Sequence, residues 1–174
     1  MSKDSLIIRA ATNEDVSILS DLGAETFIYA YRDTIGAEDL RVYTQATFAQ
    51  DRIAHELDMG QGYYALAEVD DQPGGYGLVK VSKVPVGVAL AEPIELQRLY
   101  VLPQWLGQGM GTALLRHMMT WVEEHGYRCC WLRVWIRNTR AIAFYEHWGF
   151  QAIGSEPYTV GEASEPVLIM AKTI

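Results

Sequence analysis

The stretch Val101-Leu102-Pro103-Gln104-Trp105-Leu106-Gly107-Gln108-Gly109-Met110-Gly111-Thr112-Ala113-Leu114-Leu115 decides the reading of this chain. An apolar run stops at a proline, three glycines follow at alternate positions, and a helical apolar period begins beside the last of them. Proline cannot donate to a following ladder, so the strand ends there. The first N–H groups of a helix have no intrahelical partner, and the positive end of the helix dipole lies among them. Strand, glycine-rich turn and helix in this order make a seat for a phosphate or pyrophosphate that needs no basic side chain. Tight turning and close helix packing are the other uses of such glycines, and the spacing leaves both open. Two common phosphate motifs are excluded: no Lys-Ser or Lys-Thr follows the last glycine, and the spacing is not the dinucleotide fingerprint.

Working outward, Met110, Ala113, Leu114, Met118, Trp121 and Val122 mark one face of a helix that stops at Gly126. Cys129 to Ile136, apolar at most positions, reads as a central strand covered on both faces. Asn138 caps a helix carrying Ala141, Ile142 and Tyr145, and Gly149 ends it before strands at Phe150–Ile153 and Val167–Ala171. Between those strands, Glu156 to Pro166 holds two prolines, a glycine and three glutamates and reads as a surface loop. Upstream, Leu6-Ile7-Ile8 is a short strand, and Thr12-Asn13-Glu14-Asp15 caps a helix whose anchors are Val16, Leu19, Leu22, Phe27 and Ala30. A second helical region covers Ala37 to Met59 with a break near Thr47. Strands at Tyr63–Val69 and Tyr76–Val81 flank the turn formers Asp70 to Gly74 as a hairpin, and a third strand spans Ile94–Val101. The order implies an α/β chain of one domain, residues 1–174, with a mixed sheet and helices packed on it.

Composition bounds the function. The 174 residues carry 14 Lys and Arg against 22 Asp and Glu, and the net charge of −8 repels phosphate backbones, so nucleic acid is not an expected partner. No apolar run reaches the roughly 20 residues of a membrane span, and Met1-Ser2-Lys3-Asp4-Ser5 lacks a signal-peptide core, so the expectation is a cytoplasmic protein without a membrane partner. The adjacent Cys129 and Cys130 read as packing residues, and the spacing of His55, His117, His125 and His147 forms no zinc set, so no metal is expected. The aromatic content is compatible with a homodimer.

A second constellation is Asn138-Thr139-Arg140-Ala141-Ile142-Ala143-Phe144-Tyr145-Glu146-His147-Trp148-Gly149-Phe150. Asn138 and Tyr145 are two helical turns apart, so both can look toward one ligand. A phenol is a suitable proton donor to a departing thiolate. Asn138 as a plain helix cap and Tyr145 as an amphipathic core residue are the alternatives.

Together the two segments resemble the GNAT family of N-acetyltransferases, whose Gln/Arg-x-x-Gly-x-Gly/Ala turn is followed by Asn-x-x-Ala-x-x-Phe-Tyr-x-x-x-Gly-Phe. The specific similarity runs from Ile94 to Ile153. It implies a mostly antiparallel central sheet with helices on both faces, and acetyl-CoA as cosubstrate. By the same matching, Leu99 and Val101 offer backbone groups to the pantetheine arm, and Leu106, Gly107, Gln108, Gly109, Met110, Gly111 and Thr112 cradle the pyrophosphate. Asn138 helps hold the cosubstrate and Tyr145 protonates the leaving thiolate. Leu106 departs from the pattern where the family has Gln or Arg, which removes a side-chain contribution but not the backbone cradle.

An amine of pKa about 10.4 must lose a proton before it attacks a thioester. Glu95, on the strand leading to Leu99, resembles the glutamate that many family members use as base, and a solvated strand-end acid is its other reading. The resemblance also implies that the acceptor pocket lies in the segments around Phe27–Phe48 and Glu156–Pro166. There Tyr29, Tyr31, Tyr43 and Phe48 are placed to bracket an acceptor, and Glu38, Asp39, Glu156, Glu162 and Glu165 to attract a cation. The segment from Thr26 to Leu57, with Glu95 to Val101, is similar to bacterial polyamine acetyltransferases, so the expected partner is a small-molecule primary amine such as a polyamine. A non-catalytic acyl-CoA sensor or interaction module is the rival reading, and Tyr145 argues against it.

Overall fold

The computed structural model describes residues 6–60 and 62–174. In chain order the elements are β1 (Leu6–Ala10), a 3-10 turn (Asn13–Asp15), α1 (Val16–Tyr31), α2 (Ala37–Thr47), α3 (Gln50–Asp58), β2 (Gly62–Val69), β3 (Gln72–Lys80) and β4 (Pro93–Val101). A second 3-10 turn (Pro103–Trp105), α4 (Met110–Glu124), β5 (Cys129–Trp135), α5 (Thr139–His147), β6 (Gln151–Val160) and β7 (Ala163–Thr173) follow. The strands form one sheet in the order β1-β2-β3-β4-β5-β7-β6, parallel only between β4 and β5. The expected α/β architecture and mostly antiparallel sheet are therefore present.

Each face of the sheet has its own core. On one side Met110, Leu114, Met118 and Val122 of α4 pack with Ile94, Leu96, Cys130, Leu132 and Met170, and Ile142 and Tyr145 of α5 lie against them. On the other, Leu19 and Leu22 of α1 and Ile53 of α3 meet Tyr64, Leu66, Tyr76 and Leu78. The first helix opens as its sequence predicts: Asp15 Oδ2 accepts from the Thr12 backbone at 2.8 Å and the Thr12 hydroxyl accepts from Glu14 N.

Alpha-4 lies unusually close to β3. A Cβ added at Gly74 would sit 2.5 Å from the Met110 methyl, and one at Gly75 would sit 2.5 Å from the Tyr100 carbonyl. Gly74 lets the helix descend onto the sheet, and Gly75 makes room for the backbone of β4 beside the start of that helix.

Under α1–α3 a polar network is buried. Tyr64 donates to Glu56 at 2.5 Å, Lys80 donates to the other carboxylate oxygen at 3.1 Å, and Arg98 reaches the Tyr64 hydroxyl at 3.2 Å. Arg98 also lies over the Phe48 ring, 5.1 Å from its centroid.

Two segments differ from their sequence reading. The hairpin turn is only Asp70-Asp71, both with positive φ as a two-residue turn requires, while Pro73 and Gly74 lie within β3 beside a bulge. The expected loop Glu156–Pro166 is instead the two arms of a long β6–β7 hairpin turning at Gly161-Glu162. Its prolines face each other at Pro157 and Pro166. The Pro166 carbonyl accepts from Ile136 N, so its polar edge faces β5, and the pair with Pro157 is one that exchanges no hydrogen bonds. The Pro157 side that lacks an N–H then faces the open sheet edge, where proline is tolerated.

Candidate active site

Strands β4 and β5 pair at three positions only: Pro93 with Cys129, Ile94 with Cys130 and Glu95 with Trp131. β4 then continues along β3 to Val101 and β5 along β7 to Trp135, so the two strands diverge beyond Glu95. An extra residue, Gln97, enters β4 at this point, since Leu78 faces Arg98 while Val79 faces Leu96. A bulge bends and twists its strand, and here it accompanies the opening.

Hydrogen-bond parity tells which groups edge the gap. Leu102 N donates to Gly74 O at 2.8 Å. Alternation along an antiparallel pair then aims the backbone groups of Arg98 and Tyr100 at β3, and those of Leu99 and Val101 away from it, into the gap. On the far side, Ile136 N donates to Pro166 O at 3.2 Å, which by the same alternation turns the backbones of Arg133 and Trp135 toward the gap.

The start of α4 lies at the open end of this gap, where a Cβ on Gly111 would meet the Val101 side chain at 3.8 Å. Gly107 and Gly109 have φ of +79° and +89°, a region that disfavours side chains. The first helical bond runs from Ala113 N to Gly109 O, and Gly109 supplies no side-chain cap. The N–H groups of Met110, Gly111 and Thr112 are therefore left without helical partners. The Met110 side chain is buried, so only its backbone is offered, and the Gln108 amide braces the turn by donating to Gln104 O at 2.5 Å. Leu106 is partly exposed and apolar. A basic group comes from elsewhere: Arg140 Nη2 lies 3.9 Å from the Cβ position of Gly107. Sequence reasoning passed over Arg140, although its place two residues after Asn138 was the available signal.

Asn138 caps α5, its Oδ1 accepting from Ala141 N at 3.1 Å. Its amide N–H groups have no protein partner among the described residues. Tyr145, seven residues on, packs edge-on against Phe144 and Phe150, and its hydroxyl makes no hydrogen bond among the described residues. Burial raises its pKa well above 10, and Cys130 and Tyr31 add to the effect, so it is a neutral phenol across the physiological range. Tyr31 belongs to α1, on the opposite face of the sheet, so the phenol feels groups on both sides of the β4/β5 gap.

Glu95 is buried and fully engaged. Arg133 donates to Oε1 at 2.6 Å and the Ser82 hydroxyl to Oε2 at 2.5 Å. Arg133 also binds Glu156 at 2.5 Å and lies over the Trp131 ring, linking β4, β5 and β6 through one guanidinium. The solvated-acid reading of Glu95 does not hold, because only 4% of the residue is exposed.

Beyond β5 an apolar pocket opens between α1, the loop after it and the β6–β7 hairpin. Phe27, Tyr31, Ile35, Trp135, Tyr158 and Val167 form most of its wall. Tyr43 stacks on Phe27 and its hydroxyl bonds that of Tyr158 at 2.8 Å, tying α2 to the hairpin. Of the four expected aromatics, Tyr31 lines the pocket and Tyr43 supports it. Phe48 is core, and Tyr29 faces outward under Arg32. Trp135 and Tyr158 were missed, the second because its segment read as a loop. The acids expected to draw a cation are mostly engaged: Glu38 pairs with Arg41, Glu156 with Arg133 and Glu165 with Arg137, and Asp39 accepts from Glu162 N.

Residues 26–150 match the model of the acetyltransferase (GNAT) family. An uncharacterised N-acetyltransferase of Mycobacterium tuberculosis is 25% identical over 160 residues, covering 92% of this chain and 98% of its own. The ribosomal protein bS18 alanine N-acetyltransferase of Escherichia coli is 32% identical over 97 residues, 55% of this chain and 66% of its own. Among solved structures, the PaiA N-acetyltransferase of Thermoplasma acidophilum in complex with coenzyme A superposes with a TM-score of 0.81 at 22% identity, covering 98% of this chain and 99% of that one.

Proposed function

Because this chain belongs to the GNAT family of N-acetyltransferases, we propose that it moves the acetyl group of acetyl-CoA onto the nitrogen of a small primary amine, with residues 1–174 acting as one domain. The observation that carries this reading is the alignment of the unpaired β4 edge at Leu99 and Val101 with the uncapped start of α4. An extended amide-bearing arm pairs with the first, and a pyrophosphate sits on the second.

In this reading the N–H groups from Gly107 to Thr112, with Leu106 at the rim, hold the pyrophosphate, and Arg140 supplies the charge that Leu106 does not. The Asn138 amide donates to the cosubstrate from the opposite wall. The amine nitrogen attacks the thioester carbonyl, a C–N bond forms, the C–S bond breaks and its electron pair goes to sulfur. Tyr145 gives its proton to that sulfur; a neutral phenol is the state the step requires. Glu95 accepts the amine proton through the Ser82 hydroxyl or a water, because Arg133 and Ser82 occupy its oxygens. Arg133 is a positioning residue that fixes the Glu95 carboxylate through its 2.6 Å hydrogen bond.

The test is thiol release from acetyl-CoA with a panel of primary amines that includes spermidine, spermine, amino acids and short peptides, beside a Tyr145→Phe control. Acceptor-dependent release that the control loses supports the reading. Acetyl-CoA binding without release for every amine overturns it.

A further inference from the structure

We propose that the pocket between α1, β5 and the β6–β7 hairpin binds the non-reacting end of the acceptor, and that this end is an uncharged aromatic or branched-alkyl group rather than a second ammonium. This rests on the transferase reading and narrows its substrate class.

Three observations carry it. First, the wall is made of apolar and ring surface, from Phe27, Tyr31, Ile35, Trp135 and Val167, which favours a group that leaves water gladly. Second, the charge needed by a polycation is already spent. Glu165, the one carboxylate on the lining, is 3.2 Å from Arg137, and neighbouring Glu156 is held by Arg133. An ammonium entering there would meet a Glu165 carboxylate whose charge Arg137 already balances. The ring hydroxyls do not supply a charge instead: burial raises Tyr31 to about 12 and Tyr158 higher still, so both stay neutral. Third, the pocket adjoins the gap where transfer takes place. Trp135 is shared, since its indole lines the pocket and its backbone edge faces β4 across the divergence. A group seated against Trp135 and Tyr31 leaves its amine at the mouth of the gap.

The rest of the acceptor side fits this role. The hairpin that covers the pocket is pinned by the Tyr43–Tyr158 bond and by Asp39, which accepts from Glu162 N at 3.2 Å at the hairpin tip. An edge hairpin held at two points gives a preformed wall, which suits a rigid apolar group.

The experiment uses the full chain with 2-phenylethylamine, isopentylamine and spermidine as probes. Calorimetric binding is measured in the presence of CoA, and kcat/KM with acetyl-CoA. The expected kcat/KM for 2-phenylethylamine exceeds that for spermidine by on the order of tenfold or more. Ala163→Phe and Thr34→Trp, which fill the pocket from the hairpin and from the exposed loop, weaken 2-phenylethylamine binding by about tenfold. Acetyl-CoA affinity stays unchanged in both variants. A preference for spermidine, or for a short peptide over both monoamines, overturns the assignment, as does failure of 2-phenylethylamine to bind at millimolar concentration. If 2-phenylethylamine binds and both variants abolish that binding while no amine releases thiol, the pocket assignment stands and the transferase reading falls.

Discussion

Two recesses meet at the β4/β5 divergence, and they are built from different parts of the chain's chemistry. The cosubstrate recess offers backbone: the unpaired edges of Leu99 and Val101 and the free N–H groups at the start of α4. The acceptor recess offers side chains: Phe27 and Tyr31 from α1, Trp135 from β5, and Tyr158 and Val167 from the hairpin. A backbone recess binds whatever carries amides and phosphates, whereas a side-chain recess can be re-cut without moving a strand. The same fold can therefore keep one donor and change acceptors.

The largest expected effect tests the proposed proton donor, Tyr145. Tyr145→Phe should lower kcat on the order of a thousandfold while leaving acetyl-CoA affinity and acceptor KM within about twofold. Steady-state kinetics beside calorimetry checks this, and an equal loss of binding would return Tyr145 to a packing role. Next comes damage confined to the backbone recess. Gly109→Val forces a β-branched residue to φ near +89° and disturbs the free N–H groups. Acetyl-CoA Kd should rise on the order of a hundredfold, with 2-phenylethylamine binding to the CoA-free protein unaffected.

The same contrast explains what was legible in the sequence. Gly107-Gln108-Gly109-Met110-Gly111 announces its recess because positive φ favours glycine at Gly107 and Gly109 just before a helix start, and one segment carries the whole signal. The break between α2 and α3 was readable near Thr47 for a similar local reason. The acceptor recess was legible only as the two segments Phe27–Phe48 and Glu156–Pro166 that the resemblance implied, while its facing walls were not, since they come from residues more than a hundred positions apart and Tyr43 meets Tyr158 only after folding. Composition misled at Glu156–Pro166, where Pro157 turns its missing N–H to the open sheet edge and Pro166 lies one residue beyond the end of the β5–β7 ladder. Glu95 was readable as a strand residue, but its Arg133 partner depends on the parallel β4–β5 pairing across 38 positions.

Separating recess damage from scaffold damage needs a control away from both. Burial opposes ionisation of Glu56, yet the Tyr64 and Lys80 hydrogen bonds and the Arg98 charge together hold its carboxyl below the ordinary 4.5. Its contribution to stability is therefore complete above that value and is lost as pH falls through the lower folded pKa. Glu56→Gln leaves Arg98 without its buried anion and should cost about 2 kcal/mol at neutral pH. The loss should shrink as pH drops below 4. Denaturant unfolding between pH 3 and 7 reads both, and kcat/KM well below the melting temperature should not move. A smaller effect returns to the cosubstrate side: Arg140→Ala should raise acetyl-CoA Kd about fivefold, with the difference fading at high salt as expected for an exposed charge. No salt dependence would remove Arg140 from the phosphate site.

The smallest effect is the sharpest on the nature of the backbone recess. Gly111 lies two residues beyond Gly109, in the first turn of α4, but its φ is not positive and a Cβ there meets only the Val101 side chain at 3.8 Å, an ordinary contact. That methyl points at β4 and away from the open front of the helix. If the recess consists of N–H groups and geometry rather than of glycine as such, Gly111→Ala keeps acetyl-CoA Kd within about twofold. It should also stabilise the fold by roughly 0.5 kcal/mol, because alanine loses less backbone freedom on entering a helix. A large loss of binding would mean that the ligand passes between α4 and Val101, a closer path than backbone pairing along β4 requires, and would move the pantetheine route from the strand edge to the helix flank.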